Sequence, residues 1–284
     1  MSYLDIEYVH PECAKNAIML FHGLTGSPFE LKKYAKILFD KGFDVYCFLL
    51  PGHGDSKISI SSVKYQDWID FACEKYRCLR GYYNNFFVGG LCLGAVIALY
   101  LAQNFRTVSG IVCFSTTLFL DGWTIPKYNF LLPIGLNTIL KFFYTFVERE
   151  PYGVKNSLVR KRIFKLMKNN LVAIDNYPLS AVDELLKLSK IVQLDMGNVT
   201  SPIMIIHSKE DDLTSTKSAE FVFDKVKSKV REKIILNNSY HLVLYDNEKE
   251  FIYKITLEFL LNLCGIRYYH NLEKNIEAQL LWIY

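Results

Sequence analysis

The stretch VGGLCLGAVIALYLA, residues 88–102, decides how this chain is read. Phe86 to Gly90 is an apolar run of the kind that forms a buried strand, and Leu93 to Phe105 is a strongly apolar helix. Only Leu91 and Cys92 lie between them, so the chain must turn sharply in a strained backbone conformation. Side chains two residues before and two after such a turn would collide across it. Gly90 and Gly94 stand at those two places. Cys92 is then presented at the N-terminus of the following helix, whose dipole favours an anion. A neighbouring histidine would favour the thiolate further. The plainer alternative is a buried structural cysteine at a glycine-rich strand end.

Working outward, short apolar strands alternate with helices. Asn16 to Phe21 (NAIMLF) runs into His22-Gly23, and Asp44 to Leu50 (DVYCFLL) is closed by Pro51-Gly52-His53-Gly54. Val108 to Phe114, Ile203 to His207 and Lys233 to Leu236 are the later strands. Helical spacing appears in Glu30 to Asp40, Tyr65 to Arg80, Lys217 to Val226 and Lys249 to Cys264. This rhythm predicts an α/β fold with a mostly parallel sheet covered by helices on both faces. Thr117 to Val199 interrupts it with helical stretches and no strand signal. Residues 1–116 and 200–284 therefore read as the core, with 117–199 as a helical cap inserted over one end of the sheet. In the tail, Leu272, Ile276, Leu280 and Ile283 share one helical face that is expected to dock back on the domain.

The chain has 284 residues, of which 51% are hydrophobic and 22% charged, enough to bury a large core and too ordered in composition for a low-complexity chain. A net charge of +4 does not suggest a nucleic-acid binder. The seven cysteines form no CxxC pair and no cluster at zinc-ligand spacing, so neither a disulfide scaffold nor a metal site is expected. That pattern, and a first segment with no basic-then-apolar secretory signal, favours a reducing, cytoplasmic setting. Phe130 to Val147 carries only one charge, Lys141, but Pro133, Gly135 and Asn137 interrupt it and leave too short an apolar run to span a bilayer. No Rossmann or Walker phosphate loop is present, and no cofactor is expected.

Five blocks, HGLTGSP, LPGHGDS, VGGLCLGAVIALYLA, IIHSKEDDLT and NSYHLVLYD, follow one another between residue 20 and about residue 246. In these the chain resembles the α/β-hydrolase superfamily, in the branch of bacterial carboxylesterases and monoacylglycerol-lipase-like hydrolases. Nucleophile, acid and base occur in that superfamily's order along the chain. The departure is Cys92, where the branch normally has serine; a GxCxG elbow does occur in dienelactone hydrolases and polyhydroxyalkanoate synthases of the same fold.

The resemblance implies Cys92 as nucleophile, His241 as general base and Asp211 as the acid that orients it, with Glu210 and Asp212 the neighbouring rivals for the last role. It also implies backbone N–H groups of Leu24 and Leu93 as the oxyanion hole. His22 and His53 read as structural residues that brace the loops beneath the site. In the expected cap, Trp123, Tyr128, Phe130, Phe142, Phe143, Tyr144 and Phe146 offer an aromatic surface suited to an acyl chain or to packing on the core. Lys155 to Lys168 holds six basic residues and no acid, which reads as a solvated face, or as a contact for an anionic membrane surface or an acidic acyl carrier. The expected activity is hydrolysis of acyl esters or thioesters through a thioester on Cys92. An acyltransferase and a non-catalytic binding protein on the same fold are the alternatives.

Overall fold

A computed structural model describes residues 4–12, 14–54, 59–125, 145–147, 150–167 and 176–266. The tail 271–284 and most of the aromatic stretch 126–144 lie outside the described residues, as does Lys168.

Among the described residues there are nine strands: β1 (Ile6–Tyr8), β2 (Asn16–Phe21), β3 (Phe43–Cys47), β4 (Asn85–Leu91), β5 (Gly110–Phe114), β6 (Thr145–Val147), β7 (Asn176–Pro178), β8 (Ile203–Ser208) and β9 (Arg231–Leu236). Seven form one sheet in the order β1-β3-β2-β4-β5-β8-β9. Every pairing in it is parallel except β1 with β3, where Ile6 faces Cys47. The alternation of side chains along each strand divides the core in two. Ala17, Met19 and Phe21 of β2 join Phe86, Val88, Ile111, Cys113, Ile203 and Ile205 on one face. Ile18 and Leu20 join Phe87, Val112, Phe114, Met204 and Ile206 on the other.

Helices cover both faces. The first face carries α2 (Tyr65–Arg80) and α3 (Leu93–Asn104). The second carries α1 (Lys32–Phe39) and α7 (Lys249–Leu263), through Tyr34, Ala35, Leu38, Ile252, Tyr253 and Leu260. In α2 the apolar positions fall on one stripe, Trp68, Ile69, Ala72, Cys73 and Tyr76, and Asp67 closes the first turn by accepting the Lys64 N–H at 2.7 Å. α3 is buried along nearly its whole length, from Leu93 to Ala102, which explains why its sequence is apolar all round.

Between β5 and β8 come α4 (Ser157–Met167) and α5 (Leu179–Leu194). The apolar face of α5, with Leu179, Ala181, Val182, Leu185, Leu188 and Val192, joins the same buried cluster as α2 and α3. After β8, α6 (Lys217–Lys225) packs on the same side. β6 and β7 form a small antiparallel pair within this segment, where the sequence shows no strand. Three residues cannot display a period of two, and the same shortness hides β1. Among the described residues no helix is long and apolar enough to cross a membrane. The loops that follow β2, β4, β8 and β9 all leave the carboxyl edge of the sheet, where open α/β sheets place their sites.

Candidate active site

β4 ends at Leu91 and α3 begins at Leu93, so Cys92 alone makes the turn, with φ 57° and ψ −114°. A non-glycine residue in that region stores on the order of 1–3 kcal/mol and persists only where its surroundings enforce it. The enforcement is visible in the two flanking glycines. A Cβ on Gly90 would stand 2.6 Å from both Gly94 O and Phe21 O. One on Gly94 would stand 2.9 Å from His22 O and closer still to Phe21 O. The Cys92 N–H donates to Phe114 O at 3.0 Å, tying the elbow to β5. Its Sγ lies 3.2 Å from Thr117 Oγ1, which itself donates to Ser115 O at 3.2 Å. With the Thr117 proton so engaged, the thiol is the donor in the first contact.

Asp211 and His241 meet across the ends of β8 and β9. His241 Nδ1 lies 2.9 Å and 3.0 Å from the two carboxylate oxygens of Asp211. Asp211 also accepts the N–H groups of Leu213 and Thr214. Burial opposes charge on both partners, yet their mutual attraction prevails: Asp211 is held below the usual carboxylate range. On His241 burial is outweighed by Asp211, and then by Cys92, so the ring's pKa stands well above that of a free histidine. Nδ1 is thus committed to Asp211, while the buried Nε2 has no hydrogen-bond partner among the described residues. His207 Nε2 donates to Thr214 O and is 3.7 Å from Asp211.

Asp212 does something different from its neighbour. Its Oδ1 accepts the main-chain N–H of His241 at 3.1 Å and its Oδ2 that of Gly153 at 3.2 Å. Ser115 Oγ donates to His241 O at 2.6 Å, so the histidine backbone is held from both sides. Asp246 accepts the N–H groups of Lys155, Asn156 and Tyr240. Glu210 pairs with Lys155, and its carbonyl accepts the Trp123 indole N–H at 3.0 Å. The Trp123 ring meets that of Tyr240 edge-on at 5.5 Å, beside His241 in sequence.

The loop after β2 is braced at each residue. Leu50 N–H donates to His22 Nε2 at 3.0 Å, which leaves the Nδ1 proton to donate to Gly23 O at 2.8 Å. His53 Nε2 donates to Leu24 O at 2.7 Å. Burial holds both rings below the ordinary histidine pKa, and His22 is depressed further by His53. Leu24 follows this bracing directly. Leu93 is the first residue of α3, so its N–H has no acceptor within the helix. A Cβ on Gly23 would stand 3.6 Å from Cys92 Cβ.

The sequence did not mark Glu30, Thr117, Ser115, Asp212 or Asp246 as site residues. Asp212 was visible only as a rival to Asp211. Ser115, Thr117 and Asp246 reach partners 126, 25 and about 90 positions away, and Glu30 turns back on Gly23, which no local pattern reveals. Of the aromatic residues expected over the site, Trp123 is described and is 59% exposed. Among the described residues no group of His, Cys, Asp and Glu is disposed to hold a metal ion.

Residues 12–249 match the family described as serine aminopeptidase, S33 (Hydrolase_4). The chain is 25% identical over 256 residues to a thermostable monoacylglycerol lipase of Bacillus sp. strain H-257, covering 87% of this chain and 91% of that protein. It is 21% identical over 245 residues to a carboxylesterase of Bacillus subtilis strain 168, covering 86% and 92%. Among solved structures, the monoacylglycerol lipase of Paleococcus ferrophilus superposes with a TM-score of 0.77 at 18% identity, over 93% of this chain and all of that one. With the parallel sheet, the glycine-flanked elbow and a family match that runs from before β2 to the start of α7, the chain belongs to the serine aminopeptidase S33 family of α/β-hydrolases.

Proposed function

We propose that the protein hydrolyses small carboxylic esters or thioesters through Cys92, forming and then releasing an acyl thioester. The observation that carries this reading is the Asp211–His241 pair: both carboxylate oxygens face Nδ1, which leaves Nε2 as the ring's basic atom. Nε2 takes the proton of the Cys92 thiol, and the sulfur forms a bond to the substrate carbonyl carbon. The Leu24 and Leu93 N–H groups receive the oxyanion of the tetrahedral intermediate. As the intermediate collapses, the carbon–leaving-group bond breaks and His241 returns its proton to the departing alkoxide or thiolate. Water, losing a proton to Nε2, then attacks the thioester; the acid leaves and the thiol is restored.

The ester class is supported by the relatives, a monoacylglycerol lipase and a carboxylesterase. A thiol in place of the family's serine adds thioesters to that class, since sulfur exchanges readily with them. In this reading residues 117–199 are the cap, and α5 within them packs its apolar face into the buried cluster shared by α2 and α3. Trp123 and Tyr240, whose rings meet at the residue before His241, offer an aromatic surface that suits an apolar acyl group. The basic run contributes less than its composition suggests: Lys155 pairs with Glu210, and Arg160 bonds to Val154 O and Lys155 O. Lys161 and Arg162 remain exposed for contact with an anionic surface or carrier.

Intact-mass spectrometry tests the reading. Incubation with acyl p-nitrophenyl esters and acyl thioesters should add one acyl group, located on Cys92, with free acid as the main product in water. An acyl-enzyme that persists in water and collapses only on adding an alcohol, amine or thiol would replace hydrolysis by acyl transfer. No adduct with any donor would overturn the catalytic reading.

A further inference from the structure

Glu30 is a buried carboxyl that the mechanism above does not use, and it lies at the base of the site. It sits in the short 3-10 turn Pro28–Leu31, a position that ordinarily points an acidic side chain to solvent, yet it is only 7% exposed. Its side chain turns back over the loop that follows β2. Oε2 accepts the Gly23 N–H at 3.0 Å, while Gly26 N–H donates to Gly23 O at 3.1 Å and closes the turn. The space for the carboxyl exists because residue 26 has no side chain: a Cβ there would overlap all three carboxyl atoms of Glu30. At Gly23 a Cβ would touch Glu30 Oε2 at 3.4 Å on one side and Cys92 Cβ at 3.6 Å on the other. Glu30 therefore packs one glycine away from the nucleophile elbow, on the side that carries the Leu24 N–H.

We propose that Glu30 is the positioning residue of the oxyanion-side loop: received in the space left by Gly26 and holding the Gly23 N–H, it fixes the Gly23–Gly26 turn so that the Leu24 N–H faces Cys92. This inference rests on the reading of Leu24 as an oxyanion donor given above. It adds that the donor's placement depends on a side chain six residues further along the chain.

The carboxyl is also an ionisable group in a sensitive place. Burial pushes its pKa up to about 7, against the opposing pull of the Gly23 N–H and of His241. The ionisable groups that act on it are His241 and Tyr245, whose hydroxyl donates to Phe29 O at 2.6 Å and is itself pushed up by burial and then by Glu30, with Cys92 on the far side of Gly23. Ionised Glu30 sets a negative charge beside the site where the oxyanion forms. Protonated Glu30 does not, and its remaining lone pairs still accept the Gly23 N–H. The turn is held in both states, and the charge changes between them.

Two variants separate the turn from the charge. Glu30→Gln keeps an acceptor of the same shape for Gly23, and Glu30→Ala removes it. For the wild type, kcat on a p-nitrophenyl ester should decline as pH rises through about 7. Glu30→Gln should remain active and lose that ionisation. Glu30→Ala should lower kcat about 10- to 100-fold with KM little changed, less than the 10²–10³ that complete loss of an oxyanion donor costs. In parallel, the Gly23 amide resonance should titrate near neutral pH in the wild type and in Cys92→Ala, but not in Glu30→Gln. Wild-type kcat in Glu30→Ala, or a Gly23 amide resonance unmoved by Glu30→Ala, would overturn the proposal. A titrating Gly23 amide in a protein that turns over no ester would count against ester hydrolysis and leave the clamp standing.

Discussion

Replacing Gly94 by alanine adds one methyl group where the structure has no room for it. The new carbon would lie 2.9 Å from His22 O and closer still to the carbonyl of Phe21. These are main-chain atoms and cannot rotate away. Phe21 ends β2, which is hydrogen-bonded to β3 on one side and β4 on the other, with Phe21 in register with Gly90. The clash must therefore be relieved by moving the elbow, whose Cys92 already holds a positive φ. Overpacking of this kind costs about 3 kcal/mol, the upper end of the usual range, and a domain of this size then loses about 6–12 °C in Tm. Gly81→Ala supplies the contrast. Gly81 caps α2 at φ −67°, ψ −18°, and a Cβ there meets nothing within 4 Å. That change should stabilise by about 0.4–1 kcal/mol through the unfolded chain. Differential scanning calorimetry on the two variants, with esterase assays alongside, reads both effects. An unchanged Tm for Gly94→Ala would refute the claim that residues 90 and 94 are glycine for steric reasons.

Cys92→Ala should abolish turnover and barely shift Tm, and iodoacetamide should label Cys92 ahead of Cys47 and Cys113, whose thiols burial pushes up, Cys113 to about 12. Labelling of Cys113 first, with Cys92 inert, would count against the site. Asp211→Asn should lower the chemical step by about 10⁴, as loss of the correct histidine tautomer does elsewhere. Asp212→Asn should spare more of the chemistry and instead lose about 1–3 kcal/mol of stability, because one amide oxygen cannot serve both His241 N–H and Gly153 N–H. Urea titrations at several pH values test Glu30. Its folded-state pKa is raised, so its contribution to stability is complete below pH 4.5 and lost as pH rises through about 7, a fall of about 3 kcal/mol that Glu30→Gln should flatten.

The middle of the sheet was legible because β2, β3, β4, β5 and β8 are short and buried on both faces. Ile18 and Leu20 face one cluster and Met19 and Phe21 the other, so no polar alternation obscures them. The edge strand β1 was not, since of its three residues only Ile6 is buried. The motif blocks stand out because sharp turns at strand ends demand glycine and histidine at fixed places. What supports them was hidden for the opposite reason. Glu30 looks like an ordinary acidic residue in a first helical turn, and only the emptiness at Gly26 draws it inward. Thr117 reaches Cys92 across 25 positions, and Ser115 reaches the His241 carbonyl across 126. Contacts of that length are set by topology, not by neighbours in the chain.

The foot of the segment between β5 and β8 meets the histidine loop through main-chain amides and through the buried side chains of Val154 and Ile163, which pack with Leu242 and Tyr245. Gly153 N–H donates to Asp212, Leu242 N–H donates to Gly153 O, and the Lys155 and Asn156 N–H groups donate to Asp246. Main-chain amides are the same whatever side chain they carry. The amide contacts to Asp212 and Asp246 are therefore indifferent to the side chains at residues 155 and 156, whereas Val154 and Ile163 are constrained by their packing on the histidine loop. The same junction thus carries two kinds of constraint: a pair of aspartates that would hold any backbone of the right shape, and a small apolar contact that holds only side chains of the right size.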